Sequence, residues 1–390
     1  MLFRFPLPLR RGETGDTLPF PDPLSVGGSK EMAMEPFTST TRSAFRRKLL
    51  AWFDRARRDL PWRATRDPYR IWVSEVMLQQ TTVAAVIPFY ERFLERFPTV
   101  QTLAAADEQT VLHHWQGLGY YRRARHLHAA ARQLVAEHGG ALPDDPAVWA
   151  DLPGVGRYIL GAVLSQAFDR RLPIVEANTL RVLSRLFGSR LDPRAGEGKA
   201  WVWRAATEVL PRKRAGDFNQ AMMELGALVC TPVAPACEVC PVRRHCEAFA
   251  LGLQAVIPPP TKRVELTTEF HTALIVRREG RVLICQRPAS AGRGAMLWEF
   301  PTIVGEPSEQ IVGTTVALGT ELLTVHHGVT RFRITLTGIG AEWRSGEFAS
   351  DFYAAGLWVT GAELADYPMS NPQGKLRAEW TKSAKQGRLW

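Results

Sequence analysis

Four of the chain's five cysteines fall within seventeen residues, as Cys230, Cys237, Cys240 and Cys246 in the spacing C-x6-C-x2-C-x5-C. Thiols so close along a chain cannot staple distant parts of a fold, and an odd total leaves one without a mate, so a disulfide framework is excluded. One pocket must gather all four, which points to a reducing compartment and a metal or iron–sulfur centre. Zinc sites usually join two short Cys-x-x-Cys knuckles across a longer gap, whereas here one knuckle stands between two unequal arms. A compact loop stiffened by Pro232, Pro235 and Pro241 suits a [4Fe–4S] cubane better, with zinc as the alternative. Cys285 sits in an apolar strand pattern and is expected to be a buried side chain.

At 390 residues the chain exceeds one ordinary core, since domains run to about 150 residues. Lys and Arg outnumber Asp and Glu by 49 to 39, a net +10 that favours a polyanionic partner. No apolar run approaches the roughly 18 residues of a membrane span, so a soluble protein with no membrane partner is expected. Residues 1–40 are rich in Pro, Gly, Ser and Thr without periodicity and read as a disordered N-terminal extension. From 41 to 250 the pattern is helical: Phe45, Leu49, Leu50 and Phe53 share one face, and Ala124, Leu127, Ala131 and Leu134 another. A connector over 251–266, centred on Val256-Ile257-Pro258-Pro259-Pro260, is expected to run extended. Over 267–390 the period changes to two, with strands flanking a turn at Glu279-Gly280, which predicts a second, α/β domain.

Leu152-Pro153-Gly154-Val155-Gly156 stands between two helices. Gly154 and Gly156 allow a tight turn that leaves backbone N–H groups open at a helix start, where a phosphate oxygen binds well. By itself such a turn is more often an ordinary interhelical connection than a helix-hairpin-helix. Together with Ser74-Glu75-Val76-Met77-Leu78-Gln79-Gln80-Thr81, Gly117-Leu118-Gly119-Tyr120-Tyr121, Asp59-Leu60-Pro61-Trp62-Arg63, Phe218-Asn219-Gln220-Ala221-Met222-Met223 and the cysteine spacing, it makes residues 44–390 closely resemble the A/G-specific adenine DNA glycosylases, the MutY family of the helix-hairpin-helix (endonuclease III) superfamily. The resemblance implies a multidomain fold: an all-α glycosylase domain over 41–250 with an iron–sulfur loop at 230–246, then a Nudix-like α/β lesion-recognition domain over 267–390. It also implies base-excision repair of adenine mispaired with 8-oxoguanine or guanine in double-stranded DNA, by a cytoplasmic monomer, nucleoid-associated if bacterial.

Cleaving a glycosidic bond to adenine produces an anionic leaving group and a cationic sugar, so a proton donor and a negative charge are both required. Glu75 lies among Val73, Val76, Met77 and Leu78, surroundings that favour its neutral, proton-donating form; by resemblance it is the general acid. The family's Leu-Asp-Gly-Asn reads here Val175-Glu176-Ala177-Asn178, which puts a longer carboxylate, Glu176, on the sugar side and retains Asn178. Tyr158 occupies the position where the lyase relatives carry a lysine, so a Schiff base is not expected and a monofunctional glycosylase is. By resemblance, Trp62, Arg63, Leu78, Val83 and Gln220 line the adenine pocket. Gln80 and Tyr120, with Thr81 and Leu118 adjacent, are inserted beside the lesion. Arg122, Arg123 and Arg125 offer phosphate contacts or a solvated helix face.

Between 265 and 390 no Gly-led, glutamate-dense box of a working Nudix hydrolase is present. The family's lesion-reading Phe-Ser-His triplet aligns with Val329-Thr330-Arg331, where Thr330 retains the hydroxyl. Two other readings remain at this point: a bifunctional thymine-lesion glycosylase/lyase of the endonuclease III type, and a non-catalytic iron–sulfur lesion sensor.

Overall fold

The computed structural model describes residues 37–261 and 265–385. Residues 1–36 of the expected extension lie outside the described residues, and its last part is not extension at all, because Thr38 caps a helix that begins at Ser39. Helices occupy Ser39–Ala56 (α1), Pro68–Leu78 (α2), Val83–Arg96 (α3), Val100–Ala105 (α4), Glu108–Trp115 (α5), Arg122–His138 (α6), Pro146–Asp151 (α7), Arg157–Phe168 (α8), Ala177–Leu186 (α9), Gly196–Val209 (α10), Ala215–Leu228 (α11) and Glu247–Ala250 (α12). Local chemistry sets their ends. The Thr38 hydroxyl accepts from the Thr41 N–H, and Asp67 accepts from Tyr69 N–H with Pro68 in the first turn. α6 stops at Gly139, whose φ of 61° is cheap only for glycine.

Two apolar clusters hold these helices. Trp72, Phe93, Trp115 and Trp149 anchor one, and Phe45, Phe53, Trp201 and Phe218 the other. α2 and α8 belong to the first, α9 and α11 to the second, so the seam between clusters is lined by all four. Packing there is close: a Cβ on Gly216 of α11 would fall 2.3 Å from the Ser165 carbonyl of α8, and alongside, where α11 meets α9, a Cβ on Gly226 would fall 2.5 Å from Asn178 Cβ.

The connector does not run as a free spacer. Ile257 is buried and its carbonyl accepts from Nε of the buried Arg185 at 2.8 Å, while the Pro259 carbonyl accepts from Arg194. A guanidinium brought into a core needs acceptors, and a proline-rich segment offers carbonyls with few competing donors.

The second domain comprises β1 (Thr267–Arg278), β2 (Arg281–Gln286), β3 (Trp298–Glu299), β4 (Thr302–Val304), β5 (Gln310–Ile311), β6 (Thr314–Val329), β7 (Phe332–Gly346), β8 (Ala355–Val359) and α13 (Asn371–Lys385). The sheet order is β3-β2-β1-β7-β6-β5, with β4 also on β1 and β8 on β2; β1 and β7 are parallel, and β6 and β7 form a long antiparallel hairpin. Leu376 and Trp380 of α13 pack with Ile275 and Leu336 on one face, and Cys285 is buried with Leu274 and Val276 on the other. The expected α/β unit and the burial of Cys285 are both found. Hydrogen bonds tie this domain to the helical one, among them Tyr121 Oη to the Met369 carbonyl (3.0 Å), Asn371 Nδ2 to the Gly117 carbonyl (3.1 Å), Trp298 Nε1 to Gln109 Oε1 (3.0 Å) and Gln109 Nε2 to the Met296 carbonyl (3.1 Å). Among the described residues no helix is long and apolar enough to cross a membrane.

Because α9 and α11 meet at Gly226, a Gly226→Ala substitution is expected to lower stability in urea unfolding by about 1–3 kcal/mol. An unchanged unfolding midpoint would contradict the close seam.

Candidate active site

α2 is apolar on nearly every side, and Glu75 is buried within it at 3% exposure. A buried carboxyl must be neutral or well bonded. Tyr158 Oη, from the first turn of α8, donates to Glu75 Oε2 at 2.6 Å, and Gln166 Nε2, two turns further along α8, donates to Oε1 at 2.7 Å. Burial pushes the Glu75 pKa up; the two donors oppose this, and the nearby charge of Glu176 adds to the rise. Burial and the two carboxylates likewise hold Tyr158 protonated well beyond the ordinary tyrosine range.

Glu176 is the N-cap of α9. Its Oε1 accepts from Thr179 N–H (2.8 Å) and its Oε2 from Asn178 N–H (2.8 Å) and Asn178 Nδ2 (3.2 Å). Caps usually employ the shorter Asp, Asn, Ser or Thr; the longer Glu side chain here folds back to reach the same amides. Burial raises its pKa, while the amide donors and Arg181 pull the other way. Asn178 Oδ1 in turn accepts from Arg181 Nη2 (2.8 Å), and Arg181 Nε donates to the Cys230 carbonyl (2.7 Å), which joins the cap of α9 to the start of the cysteine loop.

A third carboxylate closes the seam. Glu224 on α11 accepts from Arg58 Nε (2.9 Å) and Nη2 (2.7 Å), and from Arg63 Nη2 (3.0 Å). Burial alone would raise its pKa, but the two guanidiniums hold it down at about 2. Arg63 Nε also donates to Gln220 Oε1 at 3.0 Å. Trp62 is buried edge-on against Tyr90, with Leu78 and Val83 packed on the same cluster.

The structure therefore gathers Glu75, Tyr158, Glu176, Asn178, Arg63 and Gln220 around one seam. Gln80, Thr81, Leu118 and Tyr120 lie on two loops beyond the C-terminal end of α2, with Gln80 and Tyr120 exposed and Leu118 buried. Gly154, with φ of 77° and His126 Cβ only 2.6 Å from where its own Cβ would stand, makes the hairpin turn; Gly156 is the N-cap of α8, where among the described residues no side chain makes a capping hydrogen bond. Thr330 is elsewhere, at the exposed tip of the β6–β7 hairpin, with its hydroxyl on the Val329 carbonyl. Arg123 is no phosphate ligand: its guanidinium is directed inward onto backbone carbonyls.

The four clustered cysteines are free thiols, each half-buried. Burial, reinforced by the other three, pushes Cys240 up to about 11. Arg185 Nη1 stands 3.4 Å from Cys230 Sγ. Four thiols near enough to raise one another's pKa, with the Arg185 guanidinium beside Cys230, are a donor set chemically suited to an anionic thiolate-bound cluster, although among the described residues no group of three donors closes on a single-ion site.

Gln166, Glu224 and Arg58 escaped the sequence reading. Gln166 stands eight residues after Tyr158, on the same helical face, and Glu224 is a lone carboxylate in an apolar run, the pattern that singled out Glu75.

A family model described as "HhH-GPD superfamily base excision DNA repair protein" matches residues 73–205, and a NUDIX domain model matches residues 271–379. An adenine DNA glycosylase of Mus musculus is 39% identical over 320 residues, covering 69% of this chain and 62% of that protein. One of Schizosaccharomyces pombe is 34% identical over 330 residues, covering 69% of this chain and 71% of that protein. The chain thus spans less than two thirds of its mammalian relative. Among solved structures, a thermostable thymine-DNA glycosylase is 30% identical, with 54% of this chain and 97% of that one covered and a TM-score of 0.49.

The folded-state pKa of Glu224 lies below its unfolded value, so its clamp contributes fully above the ordinary glutamate range and fades as the pH falls toward about 2. The stability advantage of the unmodified protein over Glu224→Gln is expected to shrink by roughly 2–3 kcal/mol between pH 6 and pH 2 in urea titrations. An advantage independent of pH would contradict the clamp.

Proposed function

Because the chain belongs to the adenine DNA glycosylase family, we propose that it is a monofunctional DNA N-glycosylase that removes adenine mispaired with 8-oxoguanine or guanine during base-excision repair. The observation that carries this reading is the pair of carboxyl groups, Glu75 and Glu176, supplied by separate helical segments, with Tyr158 bonded to the first and within the field of both.

The raised pKa of Glu75 keeps it protonated at a pH where an ordinary carboxyl is ionised, so it can protonate the departing adenine. Burial raises the Glu176 pKa as well, but here helix N-terminal amides and Arg181 support the carboxylate, and in that form it stabilises positive charge on the sugar. Tyr158 positions the acid and, lacking an amine, leaves water to complete the reaction. Arg63, Gln220 and the Arg58–Glu224 clamp form a polar wall against an extruded purine. Gln80 and Tyr120 fill the gap left in the duplex, and the open amides at Gly154 and Gly156 take a backbone phosphate. Thr330, exposed at the tip of the β6–β7 hairpin, keeps the hydroxyl assigned to reading the partner base. Cys230, Cys237, Cys240 and Cys246 would hold a [4Fe–4S] cluster; when bound it supplies a redox-active iron centre that ties the loop closed. The protein acts as a monomer on double-stranded DNA, wherever in the cell that DNA lies.

Single-turnover release of adenine from an 8-oxoguanine:adenine duplex tests the reading. Glu75→Gln and Glu176→Gln are each expected to slow release by at least about a hundredfold, with DNA affinity kept within about tenfold because phosphate contacts dominate binding. Binding without release by the unmodified protein would favour a lesion sensor, and efficient borohydride trapping would favour a lyase. The rate is also expected to decline as pH rises through the elevated Glu75 pKa, whereas a rate that climbed across that range would exclude Glu75 as the acid.

A further inference from the structure

Arg123 is the second residue of α6, yet it faces away from solvent. Its Nη1 donates to the carbonyls of Val76 (2.9 Å), Met77 (2.8 Å) and Gln79, and its Nη2 to Thr81 Oγ1 (3.1 Å) and the Gly119 carbonyl (3.3 Å). Its guanidinium carbon lies 5.5 Å from the Trp115 ring centre and 5.4 Å from that of Tyr120. Every hydrogen-bond acceptor here is a carbonyl or a hydroxyl. The charge is met by the carbonyl end of α2 and by two aromatic faces. Burial draws the pKa down to about 10, which leaves the group charged at neutral pH. Its Nε is buried with no acceptor among the described residues, a cost that an arginine serving only as a surface charge would not bear.

The two segments it joins are the loop after α2, through Gln79 and Thr81, and the loop before α6, through Gly119 and Tyr120. Each contains a non-glycine residue in the left-handed region, Gln80 at φ 58° and Tyr120 at φ 48°. Such conformations persist only where the surroundings over-determine them. Arg123 grips the residues on both sides of Gln80 and the residue before Tyr120, so one planar fork fixes both strained residues relative to each other.

We propose that Arg123 is a positioning residue that locks Gln80 and Tyr120 side by side as a two-part wedge and thereby lowers the cost of extruding the target nucleotide; this rests on the glycosylase reading above. It touches neither base nor sugar. A Lys offers three donors from one point and cannot span the two loops, so charge alone does not replace it.

The test compares Arg123→Met and Arg123→Lys with the unmodified full chain on two duplexes: adenine opposite 8-oxoguanine, and adenine opposite an abasic gap, where the target is already poorly stacked. Thermal melting checks folding, and 2-aminopurine fluorescence at the target position reports extrusion. Both variants are expected to lose about tenfold or more in single-turnover release on the paired duplex, but less than about threefold on the gapped one, since unstacking is worth a few kcal/mol and 1.4 kcal/mol is tenfold. The 2-aminopurine signal should fall in parallel on the paired duplex. Equal losses on both duplexes would place the effect on α2 and Glu75 and overturn the proposal, as would unchanged release and fluorescence on both. If Arg123→Met fails to melt cooperatively, Arg123→Lys carries the comparison. An unmodified protein that extrudes the probe but releases no adenine would sink the glycosylase reading, while the extrusion signal would still decide the role of Arg123.

Discussion

Glu75 cannot be buried in α2 unless something meets its two oxygens, and α8 meets both, with Tyr158 on one and Gln166 on the other. That single requirement fixes the rotation of α2 against α8 and brings the glycine hairpin ahead of α8 into line with the acid. It also leaves the protonation of Glu75 to be set by its neighbours, because desolvation penalises the charged form and the two donors only partly offset it. Glu176 enters the same balance from the opposite side of the seam, through its field rather than through a bond.

Much of this was legible in the sequence, because the strongest signals were local. The hairpin glycines, the cysteine spacing and the change of period near residue 266 each depend on neighbours within a few positions, and the helices and strands fall where those patterns put them. Glu75 stood out for a similar reason, as an acid among apolar side chains. Partnerships across the fold left fainter traces. Nothing near Arg123 in the chain says whether it meets solvent or the carbonyl end of α2, since that depends on the angle between two helices. Arg185 and the connector show the same limit: a proline-rich run reads as extended, yet its Ile257 carbonyl is drawn down onto a buried guanidinium from α9.

Glu176 illustrates how a departure from a family pattern can be accommodated at a helix cap. An additional methylene would carry the carboxylate past the amides of α9 if the chain ran straight out. Here it doubles back, and both oxygens find the N–H groups that a shorter acid would have used. The cost is that both oxygens are committed to the helix start, so the role proposed for Glu176 rests on charge held at a fixed place. Arg181 extends this arrangement toward the cysteine loop through Asn178 and the Cys230 carbonyl, and so the order of that loop and the order of the cap are mechanically linked.

The most direct measurement of the central coupling is a 13C NMR titration of protein labelled at glutamate carboxyl carbons, with the Glu75 signal assigned by its loss in Glu75→Gln. In the unmodified protein that signal should titrate above the ordinary glutamate range, and in Glu176→Gln its midpoint should move to lower pH as the neighbouring charge is removed. A Glu75 midpoint in the ordinary range, or one indifferent to Glu176, would mean that the two acids do not share a site.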